Sequence, residues 1–143
     1  MILRNPYFVV PIVAWAIAQV SKVIIDSVLT HRINFRRLAT AGGMPSSHSA
    51  LVVSLTTVIG RLQGIQTPLF ALAVIFSSVV MYDATGVRRA AGQQAMILNR
   101  LLDDVFVAHE GIRHERLREL LGHTPIEVIA GALLGVVIGW ALT

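Results

Sequence analysis

Two histidines in this chain stand where an apolar stretch begins. His48 lies in the run Gly42-Gly43-Met44-Pro45-Ser46-Ser47-His48-Ser49-Ala50, and His123 lies in Leu121-Gly122-His123-Thr124-Pro125-Ile126-Glu127. A helix N-terminus presents unpaired amides and the positive end of the helix dipole, which suits an anion. The two glycines of the first run let the backbone approach a ligand, and proline fits a first helical turn, where its missing N–H costs little. A third polar island, Tyr82 to Gln94, brings Asp83, Arg88 and Arg89 to the end of another apolar run. Gln19, Lys22 and Asp26 recur at three- and four-residue spacing and so share one face of a helix. Histidines with cations and a few carboxylates are what phosphoryl transfer without a large cofactor uses: a nucleophile, a proton donor, and positive charge for the phosphoryl oxygens.

Each island also has a plainer reading. Lys22 and Asp26 have the spacing of an i,i+4 pair reaching toward a membrane interface, although ionisable groups inside a span more often mark function. The arginines after Asp83 resemble the charges that end a membrane span; Asp83 and Arg88 either close a salt bridge or face one site. Thr124, Pro125 and Glu127 satisfy a capping box with proline at the first helical position, so Glu127 has a purely structural use as well as a chemical one. His109 and His114 sit in a stretch of mixed charge, residues 109 to 122, which reads as a solvated face.

The elements that must carry these residues are apolar. The chain has 143 residues, 55% of them hydrophobic and only 14% charged, with a mean hydropathy of +0.70, which fits one membrane-embedded domain over residues 1–143. There is no cysteine, hence no disulfide framework or thiolate metal site. Pro6 to Leu29 is long enough, at about 36 Å as a helix, to span a bilayer with some tilt, and it is expected to be retained rather than cleaved. A second helix is expected from His48 to about Gln63, and a third from Pro68 through Met81 after a turn at Gly64 to Thr67. Ala91 to Val107 reads as an amphipathic helix at the membrane surface or under the site, and a last span runs from Thr124–Pro125 to Trp140. The expected architecture is an all-α integral membrane bundle of about four transmembrane helices plus one amphipathic, interfacial helix.

Alternating spans put every polar island on one side. The same side holds nine of the eleven arginines, with Arg4 and Arg61 on the other, so the positive-inside rule makes it cytoplasmic and puts both termini opposite. The arginine excess suits phosphate and anionic headgroups; no soluble basic module or motif for nucleic acid is present. Gly131 and Gly135 have the spacing of a close helix contact, either within the chain, the favoured reading, or in a homo-oligomer.

The three runs Gly42 to Ala50, Asp83-Ala84-Thr85-Gly86-Val87-Arg88-Arg89 and Gly122-His123-Thr124-Pro125-Ile126-Glu127-Val128, with Gln19, Lys22 and Leu98-Asn99, resemble the divergent type 2 phosphatidic acid phosphatase family, which is related to acid phosphatases and vanadium-dependent haloperoxidases. The resemblance covers nearly the whole chain. It implies a bundle related to that of the phosphatases and no resident cofactor. It also implies His123 as nucleophile, His48 as general acid and Glu127 as the group orienting His123. Lys22, Ser46, Ser47, Asp83, Arg88, Arg89 and Arg118 would form the phosphate site. Ser47 stands where the wider superfamily has glycine, Glu127 where it has aspartate, and the arginine–proline pair of its first motif is missing. If the helix opens at Thr124, His123 lies just outside it, so helical spacing alone does not join it to Glu127; glutamate's length would have to bridge the gap. The implied activity is hydrolysis of a lipid phosphomonoester through a phosphohistidine, with phosphatidylglycerophosphate favoured for a cytoplasmic site. Phosphatidic acid or undecaprenyl diphosphate are alternative substrates. A metal-dependent phosphatase, or a lipid-phosphate binding or transport subunit without chemistry, are alternative functions.

Overall fold

The computed structural model describes residues 4–30, 43–106 and 122–143; the side chains of Leu29, Arg88 and residues 103–106 also lie outside the description. Five helices carry the described residues: α1 (Pro6–Thr30), α2 (Ser47–Gln63), α3 (Pro68–Thr85), α4 (Val87–Phe106) and α5 (Pro125–Ala141). No strand occurs among them. The expected first, second, third and last helices are all present. The amphipathic helix starts four residues earlier than expected, at Val87, because α3 runs on to Thr85 and Gly86 alone separates the two. The Gly86 amide still donates to the Tyr82 carbonyl at 2.8 Å, and its carbonyl accepts from Ala90 at 2.9 Å. Helical hydrogen bonding therefore continues on both sides of a one-residue break, and the island around Asp83 and the arginines is helical rather than a loop.

Polarity runs opposite to that of a soluble bundle. The buried positions are small or polar: Ala14, Ala18 and Ala50 are fully covered, and so are Ser46, Ser49 and Ser54. The large apolar side chains point outward, among them Ile75 and Val79 of α3, Ile129 and Val137 of α5, and Ile24 and Val28 of α1. Such a distribution would waste hydrophobic burial in water, whereas packing between helices surrounded by lipid favours small residues and interhelical hydrogen bonds. By length and composition two stretches can cross a membrane, Pro6–Val28 and Pro68–Leu102, the latter running through the break at Gly86; α5 is a shorter apolar helix.

Close approach explains the small residues. A Cβ on Gly131 would lie 2.2 Å from the Ser46 carbonyl oxygen, one on Gly135 2.7 Å from that of Ala50, and one on Gly139 3.0 Å from that of Ser54. These glycines recur every four residues and form the α5 face against which α2 lies. The glycine spacing in the last helix thus serves packing within the chain. On the other side of α2, the hydroxyls of Thr56 and Ser77 meet at 2.8 Å, and Ser77 also donates to the Val52 carbonyl at 3.1 Å. Helix α1 contributes the stripe Val10, Ala14, Ala18, Lys22, all buried at four-residue intervals.

Candidate active site

The starts of α2 and α5 lie side by side. The Ser46 amide donates to the Glu127 carbonyl at 2.9 Å, and Gly131 leaves no room for a side chain between them. At the head of α2, Ser46 is the N-cap: its hydroxyl accepts from the Ser49 amide at 3.4 Å and from the Ser49 hydroxyl at 3.0 Å. Gly43, at φ +101°, turns the chain into this cap in a conformation that other residues rarely adopt. His48 follows in the first turn and is exposed, while Ser47 and Ser49 on either side of it are buried.

Lys22 approaches the same turn from α1. It is 4% exposed, and its ammonium donates to the Ser47 hydroxyl at 3.2 Å. Its stem passes the Gly43 backbone, where a Cβ would sit 3.9 Å from its methylenes. The Glu127 carboxylate acts on it electrostatically. A buried ammonium is tolerated only with such compensation, so Lys22 belongs to the polar interior and not to a pair at the membrane surface.

His123 immediately precedes the α5 cap and is 3% exposed. Its amide donates to the Ala84 carbonyl in the last turn of α3 at 2.9 Å, which fixes the backbone; its Nδ1 lies 2.9 Å from Glu127 Oε2. Glutamate therefore reaches a histidine outside the helix. The same Oε2 accepts from the Thr124 amide at 3.2 Å, while the Thr124 hydroxyl accepts from the Glu127 amide at 3.4 Å, completing a capping box. Cap and histidine contact are not alternatives: one oxygen makes both. In the tautomer that gives Nδ1–H to the carboxylate, the neutral ring has its lone pair on Nε2.

The structure thus gathers His123, Glu127, Ser46, Ser47 and Lys22 at one end of the bundle, with His48 in the same first turn as Ser47. Asp83 is half-buried in the last turn of α3, one residue before the Ala84 carbonyl that holds His123, and Arg89 is exposed in the first turn of α4. The backbone of Arg88 lies beside it. Arg118, with His109 and His114, lies outside the described residues. The Ala84 carbonyl is a contributor with no side-chain signature in the sequence, whereas the close contact at Gly131 that holds the two helix starts together is one to which the glycine spacing points. Among the described residues, no group of three or more His, Asp or Glu is placed to hold a metal ion.

The sequence model of the divergent PAP2 family matches residues 3–138. A curated protein of Bacillus subtilis (strain 168), named "Uncharacterized membrane protein YuiD", is 43% identical over 131 residues, covering 85% of this chain and 83% of that protein. No solved structure matches the chain. With a family model spanning nearly all its residues and all three polar islands inside the match, the chain belongs to the divergent PAP2 family.

Proposed function

We propose that the protein is a membrane lipid phosphatase that hydrolyses a phosphomonoester through a phosphohistidine. The observation that carries this reading is the His123 Nδ1 to Glu127 Oε2 contact of 2.9 Å. It orients a buried imidazole beside a lysine and the first turn of a serine-rich helix. In the first step Nε2 of His123 attacks phosphorus, the bond from phosphorus to the lipid oxygen breaks, and His48 gives that oxygen a proton. Water then attacks the phosphohistidine, His48 takes its proton, and the bond from phosphorus to Nε2 breaks to release phosphate. Glu127 steadies the imidazolium character that develops on His123. Lys22, Arg88, Arg89 and Arg118 neutralise the phosphoryl oxygens, while Ser46 and the first-turn backbone amides of α2, that of Ser47 among them, donate hydrogen bonds to them. Asp83 stands beside this phosphate site, in the last turn of α3 and one residue before the Ala84 carbonyl that accepts from the His123 amide. The exposure of His48 suits a group that exchanges protons with solvent.

The membrane setting rests on the outward apolar faces, the two long apolar stretches and the relative's name as a membrane protein. In it α1, α2, α3 and α5 cross the bilayer, and α4 lies at its surface. The reading takes the site as cytoplasmic, with both termini opposite, on the ground of the arginine asymmetry. A cytoplasmic site favours phosphatidylglycerophosphate, a product of lipid synthesis on that side.

Purified protein is given phosphatidylglycerophosphate, phosphatidic acid or undecaprenyl diphosphate, with and without EDTA, and released phosphate is measured. Release from phosphatidylglycerophosphate that resists EDTA and falls roughly 10³-fold or more in His123→Ala, with His48→Ala also impaired, is expected. Undiminished release in His123→Ala overturns the nucleophile assignment; loss in EDTA favours a metal-dependent phosphatase, and turnover of no lipid favours a binding subunit. Labelling of a cysteine placed at position 36 from outside intact cells would contradict the cytoplasmic orientation.

A further inference from the structure

We propose that Ser47 is a positioning residue that fixes the Lys22 ammonium for the phosphoryl group, taking over a task that the superfamily's glycine at this position has no side chain to perform. The inference rests on the phosphatase reading for its consequence in turnover, but its structural part stands on contacts already described.

Lysine is a flexible point charge on four methylenes and does not hold its own direction. Here the stem is confined by burial and by the Gly43 backbone. Among the described residues, the ammonium donates a hydrogen bond to Ser47 Oγ at 3.2 Å, between two groups that are 4% and 1% exposed, and this contact gives it a direction that the charge of Glu127 alone does not. Ser47 is the first residue of α2, so the bond draws the ammonium to the positive end of that helix. A cation gains nothing from the dipole there; an anion between them gains from both. An ammonium has three N–H donors, and one of them goes to Ser47 Oγ among the described residues. The remaining two diverge from it at the tetrahedral angle, beside the first-turn amides, where they are available to the oxygens of a phosphoryl group. Without the hydroxyl, the charge is still present but its direction is not.

Lys22 is the single lysine of the chain, so the ammonium is observable in isolation. The full-length protein is labelled at lysine Nζ with nitrogen-15 in detergent micelles, and hydrogen exchange of the side-chain ammonium is measured without substrate. A protected resonance whose exchange accelerates roughly tenfold or more in Ser47→Ala and Ser47→Gly, and stays slow in Ser47→Thr, is expected. Exchange that is indifferent to all three substitutions overturns the proposal, whatever the protein does to lipids. In the turnover assay, Ser47→Ala is expected to lower kcat/KM roughly 10- to 100-fold. In a Lys22→Met background the same change should alter the residual rate by less than about twofold, because two residues acting through one contact are not additive. An undiminished Ser47→Ala effect without Lys22 means that Ser47 acts on substrate directly, and also overturns the proposal. A Ser47-dependent ammonium in a protein that turns over no lipid phosphate leaves the positioning contact standing and sinks the phosphatase reading instead.

Discussion

The two ends of the bundle use polar residues in opposite ways. At the site end Lys22, Ser46, Ser47, Ser49 and His123 are buried, and their contacts tie together α1, α2, α3 and α5. At the far end, Arg61 donates to the Trp140 carbonyl and lies over the Trp140 ring, 4.4 Å from its centre, and Gln63 donates to the Tyr7 hydroxyl at 3.0 Å; Arg61, Gln63 and Trp140 are exposed. The far-end contacts satisfy a helix terminus and place an amphipathic ring where a membrane boundary would lie. Each can be made in water at little cost. The contacts at the site end cannot, since burying an ammonium, three hydroxyls and an imidazole is unfavourable unless every group is held. Selection for stability alone would favour the apolar alternative. The expense at one end and its absence at the other are what the proposed division between chemistry and anchoring requires.

Gly131→Val gives the largest expected effect on this contrast. Even the first carbon of the new side chain would overlap the Ser46 carbonyl oxygen, so the starts of α2 and α5 must separate and the Ser46–Glu127 hydrogen bond must break. Overpacking of this kind costs about 1–3 kcal/mol, read as a lower midpoint in thermal denaturation in detergent, and turnover should be lost because His48 and His123 no longer share one frame. Full activity in a variant that still folds would show that the helix starts need not be in register.

Glu127 permits a finer dissection, because one oxygen serves both the helix cap and His123. Glutamine keeps an oxygen that can accept both hydrogen bonds and loses only the charge. A hydrogen bond to a charged group exceeds a neutral one by about 1–2 kcal/mol, so Glu127→Gln should lower kcat roughly 5- to 30-fold with little change in stability. Thr124→Ala does the reverse: it removes the acceptor for the Glu127 amide, costs about 1 kcal/mol of stability, and leaves kcat within about threefold, since the carboxylate still meets Nδ1. If both substitutions move the same quantity, cap and orientation cannot be separated.

The sequence revealed local features better than the contacts that cross between helices. The capping box at Thr124 and Glu127 was legible because its chemistry is confined to four residues, and the small-residue face of α5 because its repeat matches the helical turn. The start of α4 is not legible because charges at Asp83, Arg88 and Arg89 look like an interfacial stop, whereas Gly86 separates the two helices by one residue with its own amide and carbonyl still in helical hydrogen bonds and nothing after it breaks a helix. The Lys22–Ser47 bond was not legible at all. Its partners are 25 residues apart, and resemblance to a motif with glycine at that position draws attention away from the hydroxyl. The Glu127–His123 contact lay between these cases: the motif suggested it, but only the geometry of the chain before the helix decides whether a glutamate reaches.

Arg61 supplies the smallest expected effect and the control for the whole contrast. Its guanidinium donates to the Trp140 carbonyl at the end of α5, where a cation interacts favourably with the helix dipole, and stacks on an exposed tryptophan, a contact worth about 0.5–1 kcal/mol at such sites. Arg61→Ala should therefore cost about 1 kcal/mol in denaturant or thermal unfolding. It should change kcat/KM by less than about twofold, because no described contact links Arg61 to His123, Lys22 or the start of α2. Lysine at the same position keeps the charge but stacks less well, so Arg61→Lys should recover part of the stability and again leave the rate alone. A loss of turnover in Arg61→Ala comparable to that in Glu127→Gln would mean that the far end of the bundle sets the geometry of the site through α5. The division of labour between the two ends would then be wrong even if every assignment at the site were right.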